Sequence, residues 1–265
     1  MDTLVLKLVA SPLLIHAASL AGRRWGPAVG GWLVGLPLTS GPIAFFLAID
    51  QGTAFAATAA AGSLAGTAAQ AGFCAAYGLA ARHSPWPVSF SAGTGAFAAS
   101  VVCLVRVGMP LWALVFVVAS ALAIALALAP SLSDVHARVP VPPRWDLPAR
   151  MAVATILVLL LTGAAPLLGA RLAGMLATFP VFATVLTVFA HRAQGQEAAQ
   201  RVLRGLLLGL VAYSGFFLVI VATIERIGIA ASFVAASLVA SLVQFFTLSI
   251  IRGSPASGRG RIGCD

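Results

Sequence analysis

The stretch of this chain best suited to bind a solute is Gly35–Pro42, which has the sequence Gly-Leu-Pro-Leu-Thr-Ser-Gly-Pro. Pro37 and Pro42 carry no amide hydrogen and clash with the preceding helical turn, and the two glycines loosen the backbone. We therefore expect a helix through this stretch to kink or break. The carbonyl groups freed by the break, together with the hydroxyls of Thr39 and Ser40, could then hydrogen-bond a solute.

A proline recurs at the matching place in the second half of the chain. When the chain is aligned with itself so that Gly31 falls on Gly174, Pro37 falls on Pro180, and Thr178 and Thr184 lie on either side of that proline. Apolar residues replace the two hydroxyl-bearing side chains of the first stretch, so a site built from both copies would be asymmetric. A simple packing kink is the competing interpretation, because proline and glycine are common in membrane helices.

Three ionisable residues lie within or beside long apolar segments, where charge is costly and often functional. Lys7 and Arg150 are close enough to segment ends to reach the surface, but if they face inward they would attract an anionic group. His16 is better explained as a neutral packing residue than as a proton relay, because every acidic residue lies in a loop or near a terminus. The candidate substrate-binding residues are Pro37, Thr39, Ser40, Gly41, Pro42, Thr178, Pro180, Thr184, Lys7, Arg150 and His16.

Four uncharged polar residues also interrupt the apolar segments: Gln70, Tyr77, Tyr213 and Gln244. They could line a cavity, or they could form hydrogen bonds between helices, which contribute about 0.6–2 kcal/mol each in membranes.

The sequence contains no arrangement typical of an enzyme. It has no HExxH motif, phosphate-binding loop, GxSxG motif or paired carboxylates, and its three cysteines lack metal-ligand or redox spacing. We therefore expect no catalytic activity, no metal ion and no cofactor.

The composition places the chain in a membrane. Of its 265 residues, 60% are hydrophobic and 9% are charged, and the mean hydropathy is +1.02. A soluble domain has about 25% charged residues. The net charge of +9 comes from basic residues between apolar runs without interleaved aromatics, a pattern that indicates membrane topology rather than nucleic-acid binding.

Nine apolar segments are long enough to cross about 30 Å of hydrocarbon. They are Thr3–Leu20, Ala28–Ile49, Thr53–Ala80, Val88–Val105, Met109–Ala129, Met151–Leu168, Leu172–Ala190, Val202–Ile224 and Ile227–Ile250. With the N-terminus outside, twelve of the sixteen Lys and Arg residues fall on the cytoplasmic side, as the positive-inside rule requires. We expect the N-terminus outside and the C-terminus in the cytoplasm.

The two halves of the chain resemble each other in the alignment that places Gly31 on Gly174, which we call the repeat alignment. Sixteen of the 62 positions from Gly31 to Ala92 carry the same residue as their counterparts, including the Gln51-Gly52 and Gln194-Gly195 pairs. An odd number of segments separates the two copies, so the second copy would be inverted, as in many secondary transporters. A GxxxG pattern recurs in both copies and predicts close packing of the two halves, with a homodimer as the alternative.

Short motifs in both halves resemble a known family. The second half contains Leu172–Pro180, Thr187–His191, Gln194-Gly195 and Glu197–Arg201, and the first contains the Leu-Pro-Leu-Thr-Ser segment described above. The second half resembles the small four-helix inner-membrane proteins of the GlpM family, and the first is similar to related small membrane proteins. The resemblance implies a fused, doubled version of such a protein, with a possible link to exopolysaccharide production. It supplies no catalytic or binding residues.

Together these patterns predict an all-α polytopic membrane protein with two inverted four-helix repeats and one linking helix. The expected divisions are a first repeat at 1–108, a linking helix and cytoplasmic linker at 109–149, a second repeat at 150–251 and a disordered basic tail at 252–265. The predicted location is a bacterial-type inner (plasma) membrane, where lipids are partners and nucleic acid is not.

The predicted function is that of a transporter or flippase-like protein for a small or lipid-linked solute, which could be anionic. Its site would lie between the broken second and seventh segments. A non-transporting scaffold or accessory subunit of envelope polysaccharide synthesis is the alternative.

The inversion can be tested with topology reporters fused after Gly52 and after Gly195. Because these residues are equivalent in the two copies, inverted repeats place them on opposite sides of the membrane. We expect a periplasmic reporter and a cytoplasmic reporter to be active at opposite positions. Activity of the same reporter at both positions would rule the inversion out.

Overall fold

The computed structural model of the protein describes residues 2–35, 37, 40–130, 145, 147–153, 155–156 and 178–252. Thr39, most of the predicted linker and the predicted tail beyond Arg252 lie outside the described residues, as do the side chains of Lys7 and Pro42. The predicted span Met151–Leu168 and the first half of Leu172–Ala190 also lie largely outside them.

Every regular element in the described ranges is an α-helix. In chain order the helices are α1 (Asp2–Trp25), α2 (Pro27–Val34), α3 (Ser40–Gln51), α4 (Thr53–Ala80), α5 (Trp86–Arg106), α6 (Leu111–Leu128), α7 (Val181–Gln194), α8 (Gln196–Ile227) and α9 (Ile229–Arg252). Residues 147–153 are also helical.

The helix break predicted at Gly35–Pro42 is confirmed. The predicted second span is divided between α2, which ends at Val34, and α3, which begins at Ser40. The amide of Gly35 caps the end of α2 through the carbonyls of Gly31 and Trp32, and the carbonyl of Pro37 accepts the amide of Gly41 at 2.8 Å. Proline is tolerated in the first helical turn, where its missing amide has no partner to lose.

The protein is an all-helical membrane protein. Within the described residues, four helices are long and apolar enough to cross a bilayer, namely α5, α6, α8 and Ile229–Ser249 of α9. Their outer faces carry large apolar side chains: Trp112, Phe116, Phe245 and Phe246 are each more than 70% exposed. Such a surface is stable only if lipid covers it.

These four helices are fewer than the nine spans expected from the sequence, and the described residues give a physical reason for three of the spans that are missing. α3 and α7 contain only 12 and 14 residues. α4 has 28 residues, but alanine, glycine and small polar residues dominate it, and about half of them are buried. A helix that faces protein rather than lipid does not need the hydropathy of a lipid-facing span.

The core of the molecule is formed by α8 and α4. α8 packs against α2, α4, α6, α7 and α9, and α4 also packs against α3, α5 and α6. The largest completely buried side chains of this core include Tyr77 and Phe73 on α4 and Phe217 and Ile220 on α8. These two helices therefore determine where the others lie.

Glycines bring α2 into backbone contact with α8. A Cβ atom on Gly209 would lie 2.6 Å from the carbonyl oxygen of Trp32 and 2.8 Å from Cα of Gly35. One turn earlier, a Cβ on Gly205 would overlap the backbone of Ala28. The GxxxG glycines of the second copy therefore pack one half of the chain against the other, whereas a Cβ on Gly62 of the first copy would meet no atom within 4 Å. The face of α8 formed by these glycines is consequently occupied within the chain rather than free for a second copy.

The repeat alignment relates this contact to another. A Cβ on Gly66 would overlap the side chain of Thr178. Thr178 is the counterpart of Gly35, and Gly66 is the counterpart of Gly209. The partners thus exchange places between the two halves, as equivalent residues do across the two-fold axis of a symmetric dimer.

The helix boundaries follow the repeat alignment as well. α4 and α8 begin at Thr53 and Gln196, and α5 and α9 begin at Trp86 and Ile229, so each pair of starting residues occupies equivalent positions of the two copies. Secondary structure and packing therefore repeat together with the sequence.

One glycine joins the two helices of each matched hairpin. Gly52, between α3 and α4, has φ 88°, and Gly195, between α7 and α8, has φ 85°. Only glycine adopts this conformation without a steric penalty, which explains the glycine of the Gln-Gly pair in both halves.

The two glycine turns lie at opposite ends of α4. Gly52 directly precedes its first residue, whereas its last turns contact the α7–α8 turn. There the Tyr77 hydroxyl lies 3.2 Å from Nδ1 of His191, and the amide of Gln200 donates to the carbonyl of Gly78 at 3.3 Å.

Two arginines from the two halves hold the end of α6. Arg82 donates to the carbonyl oxygen of Leu128 at 2.7 Å, and Arg204 donates to those of Ala129 and Pro130 at 3.0 Å. The last carbonyls of a helix lack partners within it and carry partial negative charge, so both arginines satisfy and stabilise this terminus.

Replacing Gly209 with alanine should destabilise the protein, because the added methyl overlaps the backbone of α2. We expect a loss of about 1–3 kcal/mol in the free energy of unfolding. Gly95→Ala on α5 is the matched control, since a Cβ there meets no atom within 4 Å. Thermal unfolding of both variants in detergent, followed by fluorescence, makes the comparison. Equal midpoints for the two variants would contradict the packing described.

Candidate functional site

A cleft of about 750 Å³ lies between the broken helix and the last helix. It falls within the roughly 300–1,000 Å³ typical of ligand sites. We call it the α3–α9 cleft. Its lining residues come from α2, the break, α3, α8 and α9, and they are Trp32, Pro37, Gly41, Phe45, Phe46, Phe216, Phe233, Ser237, Ala240, Ser241, Gln244, Phe245 and Leu248.

One face of α9 forms the longest wall of the cleft. Its lining residues recur at intervals of three and four, as positions on one side of a helix do: Phe233, Ser237, Ala240, Ser241, Gln244, Phe245 and Leu248. The opposite side of the helix carries Leu238 and Leu242, which are 61% and 71% exposed. α9 therefore has a lipid-facing side and a cleft-facing side of different polarity.

The amide of Gln244 is the most distinctive polar group of the cleft. The residue is only 6% exposed, yet neither its Nε2 nor its Oε1 has a hydrogen-bond partner among the described residues. A buried polar group without a partner costs about 1–3 kcal/mol. Both amide atoms have almost no accessible surface, so the amide is buried behind the wall of the cleft and is not open to it.

A short hydrogen-bond chain fixes the rotation of α9 against α2. The indole N–H of Trp32 donates to the hydroxyl of Thr247 at 3.1 Å, and that hydroxyl donates to the main-chain carbonyl of Gln244 at 3.1 Å. This contact fixes the side of α9 that faces the cleft.

The opposite half of the molecule is packed where this half is open. Phe97 and Val101 of α5 are 2% and 5% exposed, and the ring of Phe97 packs edge-on against Phe179 at 5.2 Å. Their counterparts on α9 in the repeat alignment are Ala240 and Gln244. Ala240 has no ring where the other half has Phe97, and this leaves space at the cleft. Gln244 has a polar amide where the other half has the apolar Val101.

Two predicted site residues of the first half, Pro37 and Gly41, line the cleft. Gly41 faces Phe216, whose ring would lie 3.4 Å from a Cβ at that position. Ser40 is the first residue of α3 and hydrogen-bonds the Tyr213 side chain. This hydrogen bond therefore holds the start of α3, directly after the break, against α8.

The predicted site residues of the second half lie elsewhere. Thr178 packs against Gly66, and Pro180 precedes the first residue of α7. Thr184 is buried on α7, and its hydroxyl has no partner among the described residues. None of the three lines the α3–α9 cleft. The described residues of the second and seventh segments therefore do not meet in this cleft, and the site expected between the two segments stays a prediction.

Neither Arg150 nor His16 lines the cleft. Arg150 is 6% exposed, and its Cζ lies 4.9 Å from the centre of the Phe189 ring on α7, a cation–π contact. His16 is half-buried on α1. No charged side chain belongs to the lining of the cleft in the described part of the chain, so its chemistry differs from that of the expected anion site.

Gln244 is one of four polar residues for which the sequence allowed two roles, lining a cavity or forming a hydrogen bond between helices. The structure assigns it to the cleft and Tyr77 to a bond with His191. The wall formed by Ser237, Ala240 and Ser241 was missed. It could have been found by extending the comparison of the two halves to α5 and α9, where apolar Val101 is replaced by an amide.

No family model, no curated protein and no solved structure matches the chain. The resemblance to the GlpM family therefore stays a prediction. Across the described ranges, no group of three His, Cys, Asp or Glu residues is placed to hold a metal ion.

Replacing Gln244 with leucine should raise the stability of the ligand-free protein. The change removes an unpartnered buried amide at nearly constant volume, and we expect a gain of about 1–2 kcal/mol in the free energy of unfolding. Thermal unfolding of extensively delipidated protein measures it. A large loss of stability would show instead that the amide has a structural partner.

Proposed function

We propose that this protein is a membrane transporter of the inverted-repeat class, and more specifically a flippase-like carrier for a small or lipid-linked solute. The observation that carries the proposal is that the helix break between α2 and α3 contributes Pro37 and Gly41 to the wall of the α3–α9 cleft. Interrupted helices at membrane depth are tolerated where they line a cavity, and they form the binding sites of many transporters.

The depth of the break supports this function. Gly35, at the end of α2, contacts Gly209, which lies near the middle of the 32-residue helix α8. If α8 crosses the bilayer, the break lies close to the midplane. That is the depth at which alternating-access carriers bind their substrates.

The relation between the halves supports the inverted repeat. Matched helices begin at equivalent positions, a close contact is repeated with its partners exchanged, and the two equivalent glycine turns lie at opposite ends of α4. The full proposed topology keeps nine spans, with four in each repeat and α6 as the linking helix.

The basic residues at one end of the bundle support the orientation. Arg82 and Arg204, from the two halves, meet at the end of α6. By the positive-inside rule this end faces the cytoplasm, with the N-terminus outside. The proposed location is a bacterial-type inner membrane.

The function is tested by lipid movement in liposomes. The full chain is reconstituted with phospholipids and glucosyl-diacylglycerol that carry a fluorophore on one acyl chain, and an impermeant reductant quenches the outer leaflet. A carrier without a driving force moves its substrate in both directions, so we expect quenching beyond the outer half for at least one lipid.

Ala240→Phe adds to the cleft wall a phenyl ring like that of Phe97, the counterpart of Ala240 in the other half. This ring should block the lipid movement. Leu242→Ala, on the lipid-facing side of α9, is the matched control and should keep it. Quenching no greater than in protein-free liposomes for every lipid would contradict the flippase. A stoichiometric partner protein recovered together with such an inactive chain would favour the scaffold.

A further inference from the structure

We propose that Arg82 and Arg204 form a binding site for a phosphate group, carried by an anionic lipid or free in solution. The site lies at the end of α6, apart from the α3–α9 cleft, and does not depend on the proposed function. The inference rests on the position, the charge and the unused hydrogen-bond donors of the two arginines.

The two arginines come from different halves of the chain and meet at three successive carbonyl groups. Arg82 lies just after α4 and donates from Nη2 to the carbonyl of Leu128. Arg204, on α8, donates from Nη1 to the carbonyls of Ala129 and Pro130. Adjacent residues have Cα atoms about 3.8 Å apart, so the two guanidinium groups lie close together. An anion placed between them contacts both.

No carboxylate neutralises this pair in the part of the chain that the structure describes. Arg201, one turn earlier on α8, is instead paired with Glu197, with 3.2 Å between Nη2 and Oε2. Arginine keeps its charge at physiological pH, and two like charges at close range repel each other. An anion bound between Arg82 and Arg204 removes this repulsion.

Both arginines keep donors that the end of α6 does not use. Arg82 is exposed and reaches α6 through Nη2 alone. Arg204 is partly exposed and reaches it through Nη1. Its Nε is enclosed by protein, so its Nη2 is left for a ligand. Guanidinium groups bind phosphate oxygens through charge-assisted hydrogen bonds in a matching fork geometry, which favours phosphate as the anion.

The end of α6 lies at the depth of lipid phosphates. α6 has 18 residues and a mean hydropathy of 2.7. A helix of this length measures about 27 Å, close to the roughly 30 Å of the hydrocarbon core. When it crosses the bilayer, its ends therefore lie where hydrocarbon meets the phosphate layer. In the orientation proposed above this is the cytoplasmic leaflet, whose anionic lipids attract basic residues.

The arginine pair is not repeated at the other end of the bundle. In the repeat alignment the counterparts of Arg82 and Arg204 are Glu225 and Ala61. The repeated helices therefore do not require a cation at either position. A carboxylate at the equivalent place repels phosphate, so the two ends of the bundle differ in the ligand that they accept.

The inference is tested by native mass spectrometry of the purified full chain in detergent. The protein is titrated with phosphatidylglycerol, phosphatidylcholine and diacylglycerol that carry the same acyl chains. We expect phosphatidylglycerol to bind about tenfold more tightly than the other two, which corresponds to about 1.4 kcal/mol. The choline cation of the second lipid opposes the arginines, and the third lipid has no phosphate.

Arg82→Gln should weaken the binding of phosphatidylglycerol about fivefold, which corresponds to about 1 kcal/mol. Glutamine keeps an N–H donor for the end of α6, and thermal unfolding without lipid checks that the variant is folded. Arg204→Gln provides a second variant of the pair. Arg201→Gln at the same end of the bundle and Arg106→Gln at the other end remove the same charge elsewhere. These two controls should bind the lipid as the unmodified protein does.

Equal binding of phosphatidylglycerol and phosphatidylcholine would overturn the inference. An equal loss in Arg82→Gln and Arg201→Gln would also overturn it, because that result shows only a general attraction to the basic end. Unchanged binding in both variants of the pair would do the same.

Inorganic phosphate added at constant ionic strength distinguishes the two sources of the ligand. Displacement of phosphatidylglycerol shows that free phosphate occupies the site, and retention of the lipid assigns the site to the head group. Either result supports the site. Lipid movement across the bilayer plays no part in this test, so the site and the transporter stand or fall separately.

Discussion

The architecture depends on the close approach of α2 to α8, which is possible only because glycines face each other. Gly209 touches the backbone at Trp32 and Gly35, and no side chain separates the two helices. With α2 held there, its end meets the middle of α8, and the next helix, α3, begins at Ser40. Pro37 and Gly41 consequently lie beside Phe216 and form one wall of the cleft.

The helices α5 and α9 occupy equivalent places in the repeat alignment, but their inner faces carry different side chains. In the first half, α5 fills its inner face with Phe97 and Val101 and contributes to the core. In the second half, α9 has Ala240 and Gln244 at the same places; both are buried as well, but the first is smaller than Phe97 and the second is polar, and both line the cleft. Two positions that are equivalent in the repeat alignment therefore carry side chains of different size and polarity.

Much of the local structure follows from the sequence. The prolines near position 40 predict the break, the repeated Gln-Gly pairs predict the turns, and the GxxxG pattern predicts which faces meet; each of these is a short-range rule about backbone sterics. The site is different. Thr178 and Thr184 lie on either side of the matched proline, yet Thr178 packs against Gly66 of α4, Thr184 is buried on α7, and neither lines the cleft. Where a side chain points depends on helix rotation and on every neighbouring helix, and one sequence does not encode this locally.

The most direct test of this account is an electron cryomicroscopy structure of the full chain in lipid nanodiscs. The account predicts elongated non-protein density in the α3–α9 cleft, beside Pro37 and Gly41. A cleft closed by protein side chains would contradict it.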